Sequence, residues 1–279
     1  MTHSQHTLKA ACSFDGKGLH TGTYAHMKVL PAPEGKGIVF RRTDLPELPD
    51  IPALAENVTL TARSTTIAFG SAQAITVEHI LSALTGMGVD NAVIELDNME
   101  VPILDGSARP YVQAFQSCGL EDQGVPRKYI DLPFALEVKD VKSGAWVRIE
   151  PADKPSACIT VDFSSPVLGV QSASWDPSTD YAAEIAPCRT FCFYKEVEAM
   201  LRNGLIKGGD LENALVVTDE GYMGNPQLHF PDECGRHKLL DMLGDFRLAG
   251  GFLNARISAY KTGHPLNTKA AKALRALLK

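Results

Sequence analysis

A chain of 279 residues with a formal net charge of −6, 44% hydrophobic and 22% charged, has room for one large domain or two of ordinary size. No apolar run approaches the roughly 18 residues of a membrane helix, and the start, MTHSQHTLKAACSF, has no signal-peptide core. The acidic balance gives no support to nucleic-acid binding, and the Arg41–Arg42 pair is a poor basic patch.

In chain order, apolar alternation predicts strands over Ala25–Leu30 and Ile38–Arg42, separated by the turn residues of LPAPEGKG. A compact loop, ALAENVTLTARSTTIAFGSAQAI, is expected next. Helical spacing then predicts Val77–Leu84, with Thr76 as its N-cap. A strand at Ala92–Leu96 and a helix at Ala108–Ser117 follow. Strands at Ala145–Glu150 and Ile159–Phe163 precede helices at Lys195–Asn203, Glu233–Leu248 and Thr268–Leu278.

The two halves echo each other. MKVLPAPEGKGIVFRRTD and VRIEPADKPSACITVDFSS both read strand, Pro-Ala turn, strand. VEHILSALTGMGVDNAVIEL and HKLLDMLGDFRLAGGFLNARISAY both read helix, glycine break, strand, and a further loop and helix follow each. The expected fold is therefore α+β, with two duplicated domains that each layer helices against a β-sheet. Residues 1–126 would form the first and residues 127–279 the second, with the division near Gly124 to Lys128. The six cysteines form no CxxC pair, so they are expected as reduced core residues of a cytoplasmic protein.

RHKLLDMLGD, from Arg236 to Asp245, sets His237, Asp241 and Asp245 four residues apart between leucines that want a core. Residues four apart on a helix differ by about 40° in direction, so His237 and Asp241 can share one metal ion. The pair alone also fits a core histidine beside a solvated carboxylate. His79, in ITVEHILSAL, would complete the set if the two duplicated helices face each other. Three protein ligands leave a position for water, the pattern of a catalytic zinc, and Glu78 would be placed to take that water's proton. His264, in the loop KTGHPLN, corresponds to the first half's LDGSA and would reach the same interface, where it could protonate a leaving amine. A loop histidine is also often simply exposed.

GKGLHTG, RRTDLP, TVEHILSAL, DNAVIEL, PILDGSARP, RTF, RHKLLD and KTGHPLN occur in this order. Together they closely resemble the zinc-dependent UDP-3-O-acyl-N-acetylglucosamine deacetylases, over nearly the whole chain. The resemblance implies two domains with the site between them and hydrolysis of the N-acetyl group, the committed step of lipid A biosynthesis. It implies that His79, His237 and Asp241 bind zinc, that Glu78 is the general base and that His264 is the general acid. It matches Asp245 to the carboxylate beside that histidine, Thr190 to an oxyanion-stabilising hydroxyl, Lys238 to a substrate-contacting lysine and Phe191 to a ring on the sugar. It also implies an insert at about residues 194–218 forming an apolar acyl passage, for which Val197, Ile206, Ala214 and Val216 are candidate lining residues, although plain core packing suits them equally. His20 lies near the site without a clear role. The loop before Thr76 is expected to touch none of these residues and to leave the chemistry undisturbed. The expected partner is an acylated UDP-amino sugar, taken by a cytoplasmic monomer without nucleic acid or membrane span. Zn²⁺ and Fe²⁺ are not distinguished. The rivals are another zinc amidohydrolase and a non-catalytic UDP-sugar-binding relative.

Overall fold

The computed structural model describes residues 3–277. Its helices are α1 (Glu78–Gly86), α2 (Arg109–Cys118), α3 (Tyr181–Glu184), α4 (Tyr194–Arg202), α5 (Glu233–Arg247) and α6 (His264–Ala276). The first large sheet runs in the order Cys12–Lys17, Tyr24–Pro31, Ala92–Leu96, Ile38–Arg42, Asp50–Pro52. The second runs Leu136–Asp140, Ala145–Pro151, Phe252–Tyr260, Ser156–Asp162, Val170–Trp175, and Tyr129–Asp131 pairs with its central strand.

The two sheets share one plan. Along each five-strand path the central strand is parallel to the fourth, and every other neighbouring pair is antiparallel. Each central strand follows a buried helix, α1 or α5, and precedes a second helix, α2 or α6. The echo in the letters is thus a shared topology. Ala92–Leu96 and Ile38–Arg42 are almost wholly buried, as strands covered on both faces should be. Tyr24–Pro31 alternates, with Ala25, Met27 and Val29 inward and Tyr24, His26 and Lys28 outward. We propose residues 126 and 127 as the division, because strand Leu120–Pro126 closes back on Ser4–Leu8 while Tyr129–Asp131 joins the second sheet.

Three expectations need correction. Residues 53–75 are not merely a loop: Val58–Leu60, Thr66–Phe69 and Ala72–Ala74 form a three-stranded antiparallel sheet. Thr76 does not cap α1. Its φ is +59°, Val77 holds the cap position without a side-chain bond, and the Thr76 hydroxyl donates to Glu100 Oε1 instead. His264 is not in a loop but begins α6, after Gly263 and before Pro265. Proline ends a helical pattern when read from inside, yet it is favoured in the first turn, where its missing N–H would have no partner.

The core runs through both sheets and the helices between them. In α1 every residue from Glu78 to Leu84 is buried. In α5 all but Arg236 and Lys238 are buried. Complete burial of Leu239, Leu240 and Met242 contributes roughly 1.5–3 kcal/mol each, which helps to offset desolvation of the polar row on the same helix.

Candidate active site

The close approach of α1 and α5 builds the site. A Cβ at Gly244 would lie 2.0 Å from the Glu78 carbonyl oxygen, so glycine is what lets α5 reach the first turn of α1. Glu78 and His79 are thereby set against the face of α5 that carries His237, Asp241 and Asp245. His264, at the start of α6, completes the group, and all six side chains are buried.

His79, His237 and Asp241 each offer one ligand atom, all within 4.8 Å of one another. Asp241 Oδ1 lies 3.3 Å from His237 Nε2 and 3.6 Å from His79 Nε2, yet it accepts no hydrogen bond. His237 Nδ1 is 3.0 Å from the Cys188 carbonyl oxygen. That oxygen can only accept, so the proton sits on Nδ1 and Nε2 presents a lone pair. Leaving a buried carboxylate oxygen without a donor costs at least about 1–3 kcal/mol. A divalent cation between these atoms would satisfy them, and two imidazoles with a carboxylate are a donor set that Zn²⁺ accepts. Burial drives the His237 pKa down to about 4. Burial works the other way on Asp241, but His237, Lys238 and His264 outweigh it and hold that carboxyl well below its usual range.

The second cluster brings together groups able to exchange protons. Burial raises the Glu78 pKa, while Glu78 Oε2 accepts the Thr65 N–H at 2.9 Å. Its Oε1 lies 3.7 Å from His264 Nε2. Asp245 accepts from the Thr65 hydroxyl at 2.6 Å and from the Asn267 amide at 2.9 Å, and it pairs with His264 Nδ1 at 2.9 Å. Burial opposes a charge on His264, but Asp245, Glu78 and Asp241 more than compensate and raise its pKa to about 9. Thr65 therefore ties Glu78 to Asp245, and the segment before Thr76 does touch the site, contrary to expectation.

The remaining candidates line two adjoining cavities. The first, of about 400 Å³, is lined by Thr190, Phe191 and Lys238 together with Glu78, His79, His237, Asp241 and His264. Lys238 donates to Asp241 Oδ2 at 2.7 Å. The Thr190 backbone is fixed between Gly106 and Leu215 by hydrogen bonds of 2.8 Å, and its hydroxyl has no partner among the described residues. The Phe191 ring meets His237 edge-on at 6.2 Å between centroids. The second cavity, of about 160 Å³, is lined by Val197, Ile206, Ala214 and Val216, all four of the proposed passage residues, and by His20. The His20 backbone donates to Glu100 Oε1 at 2.8 Å, and Ile206 N donates to its Nδ1 at 3.4 Å.

Sequence reasoning missed Thr65, Asn267 and Glu100. Asn267 stands three residues after His264, a helical spacing that could have revealed it once α6 was extended. Thr65 and Glu100 act across long sequence separations and carry no local signal.

A family model described as UDP-3-O-acyl N-acetylglycosamine deacetylase matches residues 5–276. The UDP-3-O-acyl-N-acetylglucosamine deacetylase of Nostoc sp. is 42% identical over 98% of this chain and 99% of its own. That of Myxococcus xanthus is 43% identical over 97% of this chain and 86% of its own. The bifunctional enzyme LpxC/FabZ of Porphyromonas gingivalis is 40% identical over 99% of this chain, which spans 65% of that relative's length.

Proposed function

The chain belongs to the UDP-3-O-acyl N-acetylglycosamine deacetylase family, and on that premise we propose that Glu78, Thr190 and His264 carry out the hydrolysis at a cation held by His79, His237 and Asp241. The reaction removes the N-acetyl group of UDP-3-O-acyl-N-acetylglucosamine as acetate and leaves a free amine, a step of lipid A biosynthesis. The observation that carries this reading is the unsatisfied Asp241 Oδ1 between two imidazole Nε2 atoms, beside Glu78 and His264.

A bound divalent cation supplies positive charge that polarises the acetamido carbonyl and acidifies a water molecule. Zn²⁺ is the proposed metal, and Fe²⁺ can take the same donors. Glu78 accepts a proton from the attacking water, a role suited to a buried carboxylate of raised pKa. The free Thr190 hydroxyl donates to the carbonyl oxygen as negative charge builds there. His264 passes its proton to the departing nitrogen, and Asp245 holds the ring and favours its charged form. Phe191 bears on the sugar, and Lys238 serves the substrate from the cavity wall. The proposed working unit is a monomer. In this reading the protein works in the cytoplasm on an acylated UDP-amino sugar and takes no nucleic acid. No helix among the described residues is long and apolar enough to cross a membrane.

Acetate release from the UDP-sugar should cease with a chelator and return with added metal. His79→Ala, His237→Ala and Asp241→Ala should each purify with strongly reduced metal. Full metal content in all three would remove the site as drawn.

The second cavity is the proposed acyl passage. Ala214→Phe would fill much of its roughly 160 Å³. Overpacking of roughly 1–3 kcal/mol predicts about a 5- to 150-fold loss of kcat/KM for long acyl chains relative to short ones. Equal losses across chain lengths would show that Ala214 lies off the path.

A further inference from the structure

Where the two cavities meet, the wall changes character. The first is lined by carboxylates, imidazoles and Lys238. The second is lined largely by apolar side chains, among them Val197, Met200 and Ile206. A 3-O-acyl sugar makes the same change at one place, its ester, so the ester belongs at the junction. Leu19, Arg63, Thr190, Phe191 and Cys192 line both cavities. Leucine and phenylalanine offer no side-chain donor, and a thiol is a weak one. The Thr190 hydroxyl is engaged with the reacting amide in the mechanism above. Arg63 is left to satisfy the ester carbonyl.

Arg63 is also built for the place. Its φ is +66°, a conformation disfavoured for a residue with a Cβ and one that clusters at ligand sites. Its Nη1 lies 3.0 Å from Glu196 Oε2 on α4. A guanidinium has five N–H donors in a rigid fork; its contact with Glu196 is an ion pair without hydrogen-bond geometry, and this half-exposed side chain makes no hydrogen bond among the described residues. Of α4, which covers the passage, Met200 alone is buried, so Glu196 holds the guanidinium from a lightly packed helix.

We propose that Arg63 is a specificity-determining residue that donates a hydrogen bond to the ester carbonyl joining acyl chain and sugar, with Glu196 holding the guanidinium in place. The assignment rests on the deacetylase reading. It gives the enzyme a means of telling an acylated sugar from an unacylated one that does not depend on chain length.

The test compares two UDP-sugar substrates of equal chain length, one a 3-O-acyl ester and the other a 3-O-alkyl ether without the carbonyl. Arg63→Ala should lower the ester-to-ether ratio of kcat/KM about 10-fold, mainly through KM. Arg63→Lys should recover part of the loss, because an ammonium donates without the fork. Glu196→Gln should move the ratio in the same direction by less. An unchanged ratio in Arg63→Ala, whether both substrates suffer equally or neither does, overturns the proposal. Absence of wild-type turnover on the ester would overturn the deacetylase reading and this proposal with it.

Discussion

Glu78→Gln is expected to retain a full complement of metal and to lose about 10²–10⁴ in kcat. Glu78 is not one of the three side chains that converge on a common point, so metal affinity should survive its neutralisation. The substitution is close to isosteric. A glutamine carbonyl can still accept the Thr65 N–H that Glu78 Oε2 now takes at 2.9 Å. What disappears is basicity. Because burial raises the Glu78 pKa, the charged form is held at a cost, and a neutral amide should leave the melting temperature equal or higher. Stable, metal-loaded and inactive protein is thus the expected result. Elemental analysis and single-turnover rates would decide it. Low metal content, with wild-type turnover returning on addition of metal, would make Glu78 a ligand rather than a base.

How far the letters reach can be followed along α1 and α5. The strands Ile38–Arg42 and Ala92–Leu96 have the bounds their patterns predict, because turn residues bound each of them on both sides. The row His237, Asp241, Asp245 is legible because one helix fixes its spacing. That His79 joins the row depends on how two helices cross, and Gly244, whose absent side chain permits the crossing, reads in the sequence as an ordinary helix-weakening residue. Thr76 shows why local rules fail at such places. Its hydroxyl suits an N-cap, but Glu100 lies 2.9 Å away and captures it, and the same fully buried carboxylate accepts two further backbone N–H groups at His20 and Thr21. A buried carboxylate needs those three donors more than α1 needs a cap, since the cap is worth only about 1 kcal/mol. Pro265 hides the true start of α6 in a similar way. Thr65, which bonds both Glu78 and Asp245, is set by tertiary contacts and leaves no periodic trace, whereas Asn267 shows at helical spacing from His264 only once α6 is drawn from its true start.

Asp245→Asn should move the alkaline limb of the pH–rate profile to lower pH by about one unit or more and reduce the maximum rate. The sign follows from the partner. A general acid works while protonated, so activity is lost as pH rises through the pKa of His264. Burial lowers that pKa, but the Asp245, Glu78 and Asp241 carboxylates outweigh it and carry it to about 9. A cation at the neighbouring ligands would pull it down again by like-charge repulsion, so Asp245 is what keeps the ring charged through neutral pH. Asparagine removes the charge with little change of shape. Its oxygen can face His264 Nδ1 and the Asn267 amide, which now meet Asp245 Oδ2 at 2.9 Å, while its amide turns to the Thr65 hydroxyl, which can accept as well as donate. The fold should therefore persist, which circular dichroism and metal content would check. His264→Ala should cost about 10²–10⁴ in rate and abolish the limb. A water acidified at the cation also titrates near pH 7, and the double variant separates the two. If Asp245 acts through His264, adding Asp245→Asn to His264→Ala costs little more, because the group it served has gone. Fully multiplicative losses, or a limb that survives in His264→Ala at its wild-type position, would show that Asp245 acts by another route.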